Sequence, residues 1–379
     1  MKIRIIAGGL VAAAAIAVGS VALAQSVPSS FVVSGKAAEQ IQDFTTINLA
    51  TAERIAEACE KLATAQGVAI SIIVLDNDGN HVYMDRMDGQ GYLNIVTAEM
   101  KARTALMGRE PSKSRMNRVI QDPTQELQLI QLGFFANSGG LPIVVNKQLI
   151  GVVGVGGSAP RVPVWSDEIC AHKALTEVIG PSVPALVEDL PARPNPAPGT
   201  APVPRFVAAA PPKSSLTPQF VIDAKAAATV FDANQISLTA AKKIARVCRD
   251  WAASKGGSMS LYIIDTAGEF VHIERMDGQV YNNIRTAMLK AQTSLRTRQP
   301  TSINAAQLRN NPAGLPRSTA YYNFFTNSGG IPIVVDGQMI GAIGVGGGAG
   351  GGGDENCAIE GLKATFGDHV TLPVYPPAQ

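Results

Sequence analysis

The second half of this chain repeats the first. Phe31 matches Phe220, Cys59 matches Cys248, Asp76 matches Asp265 and Lys101 matches Lys290, each at a shift of 189 positions. Arg86-Met87-Asp88-Gly89-Gln90 returns as Arg275-Met276-Asp277-Gly278-Gln279. One inserted residue then moves the shift to 190, so that Phe134-Phe135 matches Phe324-Phe325 and Asn137–Val145 matches Asn327–Val335 with one Leu-to-Ile change. A period this long is a whole domain, so the chain holds two copies of one fold rather than a solenoid.

The segments outside the repeats have their own character. Residues 1–24 read as a secretory signal: Lys2 and Arg4 precede an apolar stretch from Ile5 to Leu23, and Ala22-Leu23-Ala24 is a small-x-small cleavage pattern. No basic flank follows, which favours a cleaved signal over a membrane anchor. Export to a periplasm, or secretion, is the expected destination. Pro181–Pro218 holds 11 of the 24 prolines and reads as a semi-rigid linker. The expected domains are therefore 30–180 and 219–379.

Composition excludes several classes. At 46% hydrophobic and 16% charged residues the chain can bury real cores. A net charge of +2 gives no electrostatic case for nucleic acid. No second long apolar stretch exists, so no stable membrane insertion is expected after signal cleavage.

Within each repeat the periodicity predicts an amphipathic helix over Thr51–Ala65 and a strand over Val68–Leu75, where branched residues dominate. An Asp-Gly turn leads to a return strand over His81–Arg86. A second helix follows over Asn94–Met107 and a short one over Pro111–Ile120. A hairpin of Gly140–Val145 and Gln148–Val155 and a last helix over Ser166–Ile179 complete the unit. Strands joined by hairpins make an antiparallel sheet, and the class is α+β.

Few chemical motifs survive inspection. Gly346–Gly353 carries seven glycines in eight positions, so its match to G-x-G-x-x-G is close to compositional. The blander reading is a loop that lets backbone approach a ligand or a neighbouring subunit, with an anion near the helix start at Asp167 or Asp354. No C-x-x-C occurs. The pairs Cys59/Cys170 and Cys248/Cys357 fit either one disulfide per repeat or buried thiols. His81, His172, His272 and His369 occupy no equivalent positions, so no duplicated histidine centre is expected.

What recurs is Arg86, Asp88, Tyr92, Thr97 and Lys101, mirrored by Arg275, Asp277, Tyr281, Thr286 and Lys290. Arg, Lys and helix N-terminal amides can clamp carboxylates, and a tyrosinate can ligate haem iron. The alternative is structural: Arg86 and Asp88 pair to fix the strand-to-helix corner, and Lys101 is solvated.

With these motifs the chain resembles the GlcG/HbpS-like haem-binding family, and also the C-terminal domain of PduO-type cobalamin adenosyltransferases. The resemblance rests on Asp76 and Gly79, Arg86–Gly89, Ala98 with Lys101-Ala102, Gly139–Ile143 and Ile150–Gly156, and on Asp265 and Gly268, Arg275–Gly278, Ala287 with Lys290-Ala291, Gly329–Ile333 and Ile340–Gly346. It implies two profilin-like three-layer domains, each a five-stranded antiparallel sheet with helices on both faces, and homo-oligomers. It also implies non-covalent haem, at up to two sites per chain. Some relatives ligate iron through a first-helix histidine. Thr51–Gln66 and Thr239–Ser254 contain none, so Tyr92 and Tyr281 rank first as iron ligands. Two alternatives stay open beside a haem-sequestering or sensing protein. One is an enzyme or binding protein for a small carboxylate metabolite, with Asp88/Asp277 as a possible base. The other is an oligomeric partner of a membrane sensor.

Overall fold

A computed structural model describes residues 27–41, 45–158, 165–181, 183–190, 214–223, 225–226, 234–310, 322–348 and 353–374. The expected signal, most of the linker and the centre of the glycine run lie outside them.

Repeat 1 runs α1 (Gly35–Ile41), α2 (Leu49–Ala65), β1 (Ser71–Asp76), β2 (His81–Arg86), α3 (Tyr92–Gly108), α4 (Ser112–Gln121), α5 (Gln125–Gln131), β3 (Gly140–Val145), β4 (Gln148–Gly156) and α6 (Asp167–Ile179). Repeat 2 supplies α7 (Leu238–Ser254), β5 (Ser260–Ile264), β6 (Phe270–Arg275), α8 (Tyr281–Thr297), α9 (Thr301–Asn310), β7 (Gly330–Val335), β8 (Gln338–Gly346) and α10 (Gly353–Phe366).

The expected elements are present with small shifts of boundary. The first helix starts earlier than periodicity implied, because Asn48 caps it, its side chain accepting from Thr51 N at 2.8 Å. The strand after it starts later, because Val68 N donates back to Ala63 O and finishes the helix. The short helices α1 and α5 were not expected.

The sheet corrects the five-stranded expectation. Each repeat contributes four strands among the described residues, and the two sets join into one eight-stranded sheet of order β3-β4-β1-β2-β6-β5-β8-β7. The described residues before α2 make an isolated bridge, Val32 to Ile47, rather than a fifth strand. The open edge of β2 pairs instead with β6 of the other repeat, antiparallel, with Tyr83 opposite Glu274, Met84 opposite Ile273 and Asp85 opposite His272. Pro142 and Pro332 lie in β3 and β7, the outermost strands, where a missing N–H donor is tolerated.

Helices cover both faces. On one face α2 packs with α6 and α7 with α10, each pair over its own core, around Ile55, Ile72 and Trp165 or around Ile244, Leu261 and Phe366. On the other face α3 and α8 share a single core that crosses the junction, containing Ile73, Met84 and Ile95 together with Tyr262, Ile273 and Ile284. Each such fully buried side chain contributes roughly 1.5–3 kcal/mol, so the two repeats are cemented as one body. The cysteine question resolves into two disulfides, Cys59–Cys170 and Cys248–Cys357, with Cα atoms 5.2 and 4.7 Å apart, each tying the first helix of a repeat to its last.

Candidate functional site

The recurrent Arg-Met-Asp-Gly corners reach across the junction. Arg86 donates to Asp265 Oδ2 at 2.5 Å and to Phe270 O at 2.9 Å; Arg275 donates to Asp76 Oδ2 at 2.8 Å. Asp88 Oδ1 accepts from Leu238 N at 2.8 Å, and Asp277 Oδ1 from Leu49 N at 2.9 Å. Each aspartate therefore sits at the N-terminus of the other repeat's first helix, where negative charge is favoured. Burial raises the pKa of both carboxyls against those amide contacts. Arg86 and Asp88 thus engage the opposite repeat, where the structural alternative had them pairing with each other.

The lysines are not solvated. Lys101 is buried and donates to Asp167 Oδ2 at 2.6 Å and to Val155 O at 3.0 Å. Asp167 Oδ1 also accepts from Ser158 N at 2.9 Å, so the start of α6 already holds the chain's own carboxylate. Lys290 repeats this with Asp354 Oδ2 at 2.7 Å and Val345 O at 2.8 Å. Thr97 and Thr286 bond back to their own helices, donating to Asn94 O and Asn283 O. The glycines of β4 serve close packing. A Cβ on Gly156 would stand 2.6 Å from Asn94 O, and one on Gly154 would overlap the Ala98 carbonyl. They let α3 lie directly on the sheet.

The tyrosines divide. Tyr92 is bonded to Gln235 and lies under Arg86, whose Cζ is 5.2 Å from the ring centre. Tyr281 lies under Arg275, with 4.9 Å between Cζ and ring centre, and donates to Asp78 Oδ2 at 3.0 Å. Burial, with Asp76 and Asp78 close by, pushes Tyr281 up to about 12, which disfavours a tyrosinate at neutral pH. Among the described residues no group of three or more His, Cys, Asp or Glu is placed to hold a bare metal ion.

Tyr281 also lines an open groove of about 430 Å³ with Asn80, His81, Arg103, Tyr262, Ile284, Arg285 and Met288. A bulge in β2 creates its floor. Val74 pairs with Tyr83, but Leu75 pairs with His81, so Val82 is extra and His81 turns onto the face covered by α3 and α8. There its Nδ1 lies 2.6 Å from Tyr262 Oη. Its Nε2 is enclosed and faces Glu99 Oε1 at 3.4 Å. Glu99 is held at about 2: burial opposes its charge, but His81 and Arg103 outweigh burial. Arg103 and Arg285 stand exposed at the rim.

The groove unites side chains that the sequence reading did not bring together. At the equivalent positions of the pseudo-symmetric end stand Phe270 for His81, Gln292 for Arg103, Ile73 for Tyr262 and Val96 for Arg285. Difference between the repeats marks these positions, whereas recurrence marks Arg86, Asp88 and Lys101.

Fold and junction define a class: two α+β domains of one type, fused through their sheets into an internal pair with one asymmetric groove. The HbpS-like family model, described as "Haem degrading protein HbpS-like", matches residues 47–176 and again 236–363. The chain belongs to that family, in two tandem copies. It is 33% identical over 138 residues to an uncharacterized 15.0 kDa protein of Citrobacter freundii, covering 35% of this chain and 93% of that protein. It is also 33% identical over 104 residues to protein GlcG of Escherichia coli K12, covering 27% of this chain and 76% of GlcG. Among solved structures, Klebsiella pneumoniae protein ORFY is similar at 34% identity and a TM-score of 0.32, covering 35% of this chain and 91% of that one.

Proposed function

We propose that the protein binds haem, or a closely related tetrapyrrole dicarboxylate, non-covalently in the groove between the repeats, at one site per chain. The observation that carries this reading is the composition of that groove. Apolar and aromatic walls (Tyr262, Ile284, Met288) lie beneath two rim arginines, Arg103 and Arg285, on opposite helices. That pattern suits a flat apolar ring with two carboxylates. The donor set also offers an imidazole: Tyr262 fixes Nδ1 of His81, and its Nε2 faces Glu99 Oε1 at 3.4 Å, a contact that iron would have to replace. Tyr281, pushed up to about 12, serves as a wall rather than a ligand. Haem would supply the redox and ligand chemistry; this chain's own residues would hold its carboxylates, orient the ring and offer an imidazole.

Sequestration or sensing outside the cytoplasm completes the reading. Residues 1–24 have the form of an export signal, and two disulfides suit an oxidising compartment. No helix among the described residues is long and apolar enough to cross a membrane.

Hemin titration of the mature protein tests this. A shifted Soret band saturating at one equivalent is expected, lost in His81→Ala, weakened about tenfold or more in Arg103→Ala/Arg285→Ala, and kept in Tyr281→Phe. No Soret shift in the wild type, or one indifferent to His81, overturns it. A small carboxylate protecting the protein thermally where hemin does not would favour the metabolite reading, since the same arginine pair would serve it.

A further inference from the structure

The other face of the junction holds a charge cluster that no part of the haem reading uses. His272, fully buried, lies with Nδ1 2.5 Å from Asp85 Oδ1 and Nε2 2.9 Å from Glu274 Oε1. Lys242 of α7 reaches Glu60 of α2 at 2.7 Å and Asp85 at 2.8 Å. Arg249 of α7 reaches Glu53 of α2 at 3.0 Å and Glu274 at 3.2 Å. Tyr83 stands edge-on to His272 with ring centres 5.3 Å apart. Burial and Asp85 push Glu60 up to about 9. Burial opposes a charged His272, but Asp85 and Glu274 outweigh it and hold the ring at about 9. The cluster thus sets Lys242, Arg249 and His272 against Glu53, Glu60, Asp85 and Glu274.

These residues occupy equivalent positions with unlike chemistry. Glu53 corresponds to Lys242, Glu60 to Arg249 and Tyr83 to His272. The pseudo-twofold sets position 53 of one repeat against position 60 of the other. Two copies of repeat 1 would set Glu53 against Glu60, beside Asp85, with no base present. Two copies of repeat 2 would set Lys242 against Arg249, with His272 adding to the excess. Like-charged groups crowded at such range without a counter-charge are disfavoured. By contrast, the Arg86–Asp265 and Arg275–Asp76 bonds and the two helix-capping aspartates are the same in both directions and would serve any pairing. Of the ion pairs across the junction, those of the α2/α7 cluster tell one repeat from the other.

We infer that the two repeats have become a matched acid–base pair, so that this junction accepts only a repeat of the opposite kind, and that the groove on the far face is assembled only in that mixed pairing. His81 and Arg103 come from repeat 1, and Tyr262, Tyr281 and Arg285 from repeat 2. A self-pair of repeat 1 would have Ile73 and Val96 in place of Tyr262 and Arg285, and one of repeat 2 would have Phe270 and Gln292 in place of His81 and Arg103. The second clause concerns the groove, whose ligand rests on the haem proposal; the first does not.

The test begins from the full chain with a protease site placed in the 191–210 segment. The chain is cleaved after folding and the halves are weighed by native mass spectrometry. Wild-type halves are expected to stay together one to one, with no self-pairs of either half, and to keep any hemin Soret band of the intact chain. Glu53→Lys/Glu60→Lys, which makes both sides basic, is expected to separate the halves at least tenfold more readily. Glu53→Gln/Glu60→Gln, which is near-isosteric and guards against misfolding of the lysine variant, removes the acid–acid clash and is expected to let repeat 1 self-pairs appear. Self-pairs in the cleaved wild type, or mixed pairing unaltered in both variants, overturns the inference. Correct pairing without a Soret band in any form overturns the haem proposal and leaves the pairing standing.

Discussion

Arg86 illustrates how a residue chosen for a ligand can be spent on the fold. Its guanidinium is buried against Asp265, and that carboxylate also organises its own hairpin turn by accepting from Ala267 N and Glu269 N. Arg86→Met strands a buried carboxylate, and such a broken pair costs about 3–5 kcal/mol. Urea unfolding should show a loss of that size, with part of it recovered in Arg86→Met/Asp265→Asn, where the orphan charge is gone. A loss below about 1 kcal/mol would mean the pair does not hold the junction. Lys101 belongs in the same group, since Asp167 and Val155 O occupy its ammonium. At this scale the recurrent polar residues stand out in the sequence, but their partners do not. The hydrogen-bond partners of Arg86 and Asp88 lie in the other repeat, about 150 to 190 positions away, and periodicity reports only neighbours along a chain.

The elements were legible where a local pattern governs them. Branched residues and an Asp-Gly turn drew the β1–β2 hairpin, and Pro142 suits the place of β3 at the edge of the sheet. What stayed hidden was the fate of β2's free edge, which depends on a second sheet, and the bulge at Val82, which turns His81 toward the groove. The β2–β6 pair also predicts a pH dependence. His272 rises to about 9 in the folded protein, so its contribution is complete below its unfolded value of about 6.5 and is lost as pH climbs through 9. Glu60, also raised to about 9, acts in the same direction, because the folded state keeps a proton that the unfolded chain releases near 4.5. Asp85, whose pKa is lowered by His272 and Lys242 in spite of burial, acts at the acid end, where stability falls as it takes up a proton. Thermal midpoints should therefore decline steadily from pH 7 to pH 9.5, less steeply in His272→Gln than in the wild type. A midpoint that is level or rising over that range would contradict the arrangement.

The whole molecule is an internal dimer, and duplication shaped it in two ways. Residues kept identical, the Arg-Met-Asp-Gly corners and the lysines of α3 and α8, hold the two halves and their glycine-lined strands together. Residues allowed to differ, His81 against Phe270 and Glu53 against Lys242, give the pair its groove and its polarity. Any assembly of whole chains must use other surfaces, since the β2 and β6 edges are already joined. The disulfides act at this scale as well. By the loop-entropy argument, closing about 110 residues is worth roughly 5 kcal/mol per bridge. They also govern how the molecule yields to force. Each bridge spans 111 or 109 positions, from the first helix of a repeat to its last, so tension entering at Cys59 leaves at Cys170 without passing through the sheet. Stretched between its ends, the oxidised protein should lengthen only by its tails and linker. Reduction should release about 380 Å more from each repeat, at roughly 3.5 Å per residue. An optical-tweezers trace with and without thiol would show whether each half behaves as a knot that lengthens only when its bridge is opened.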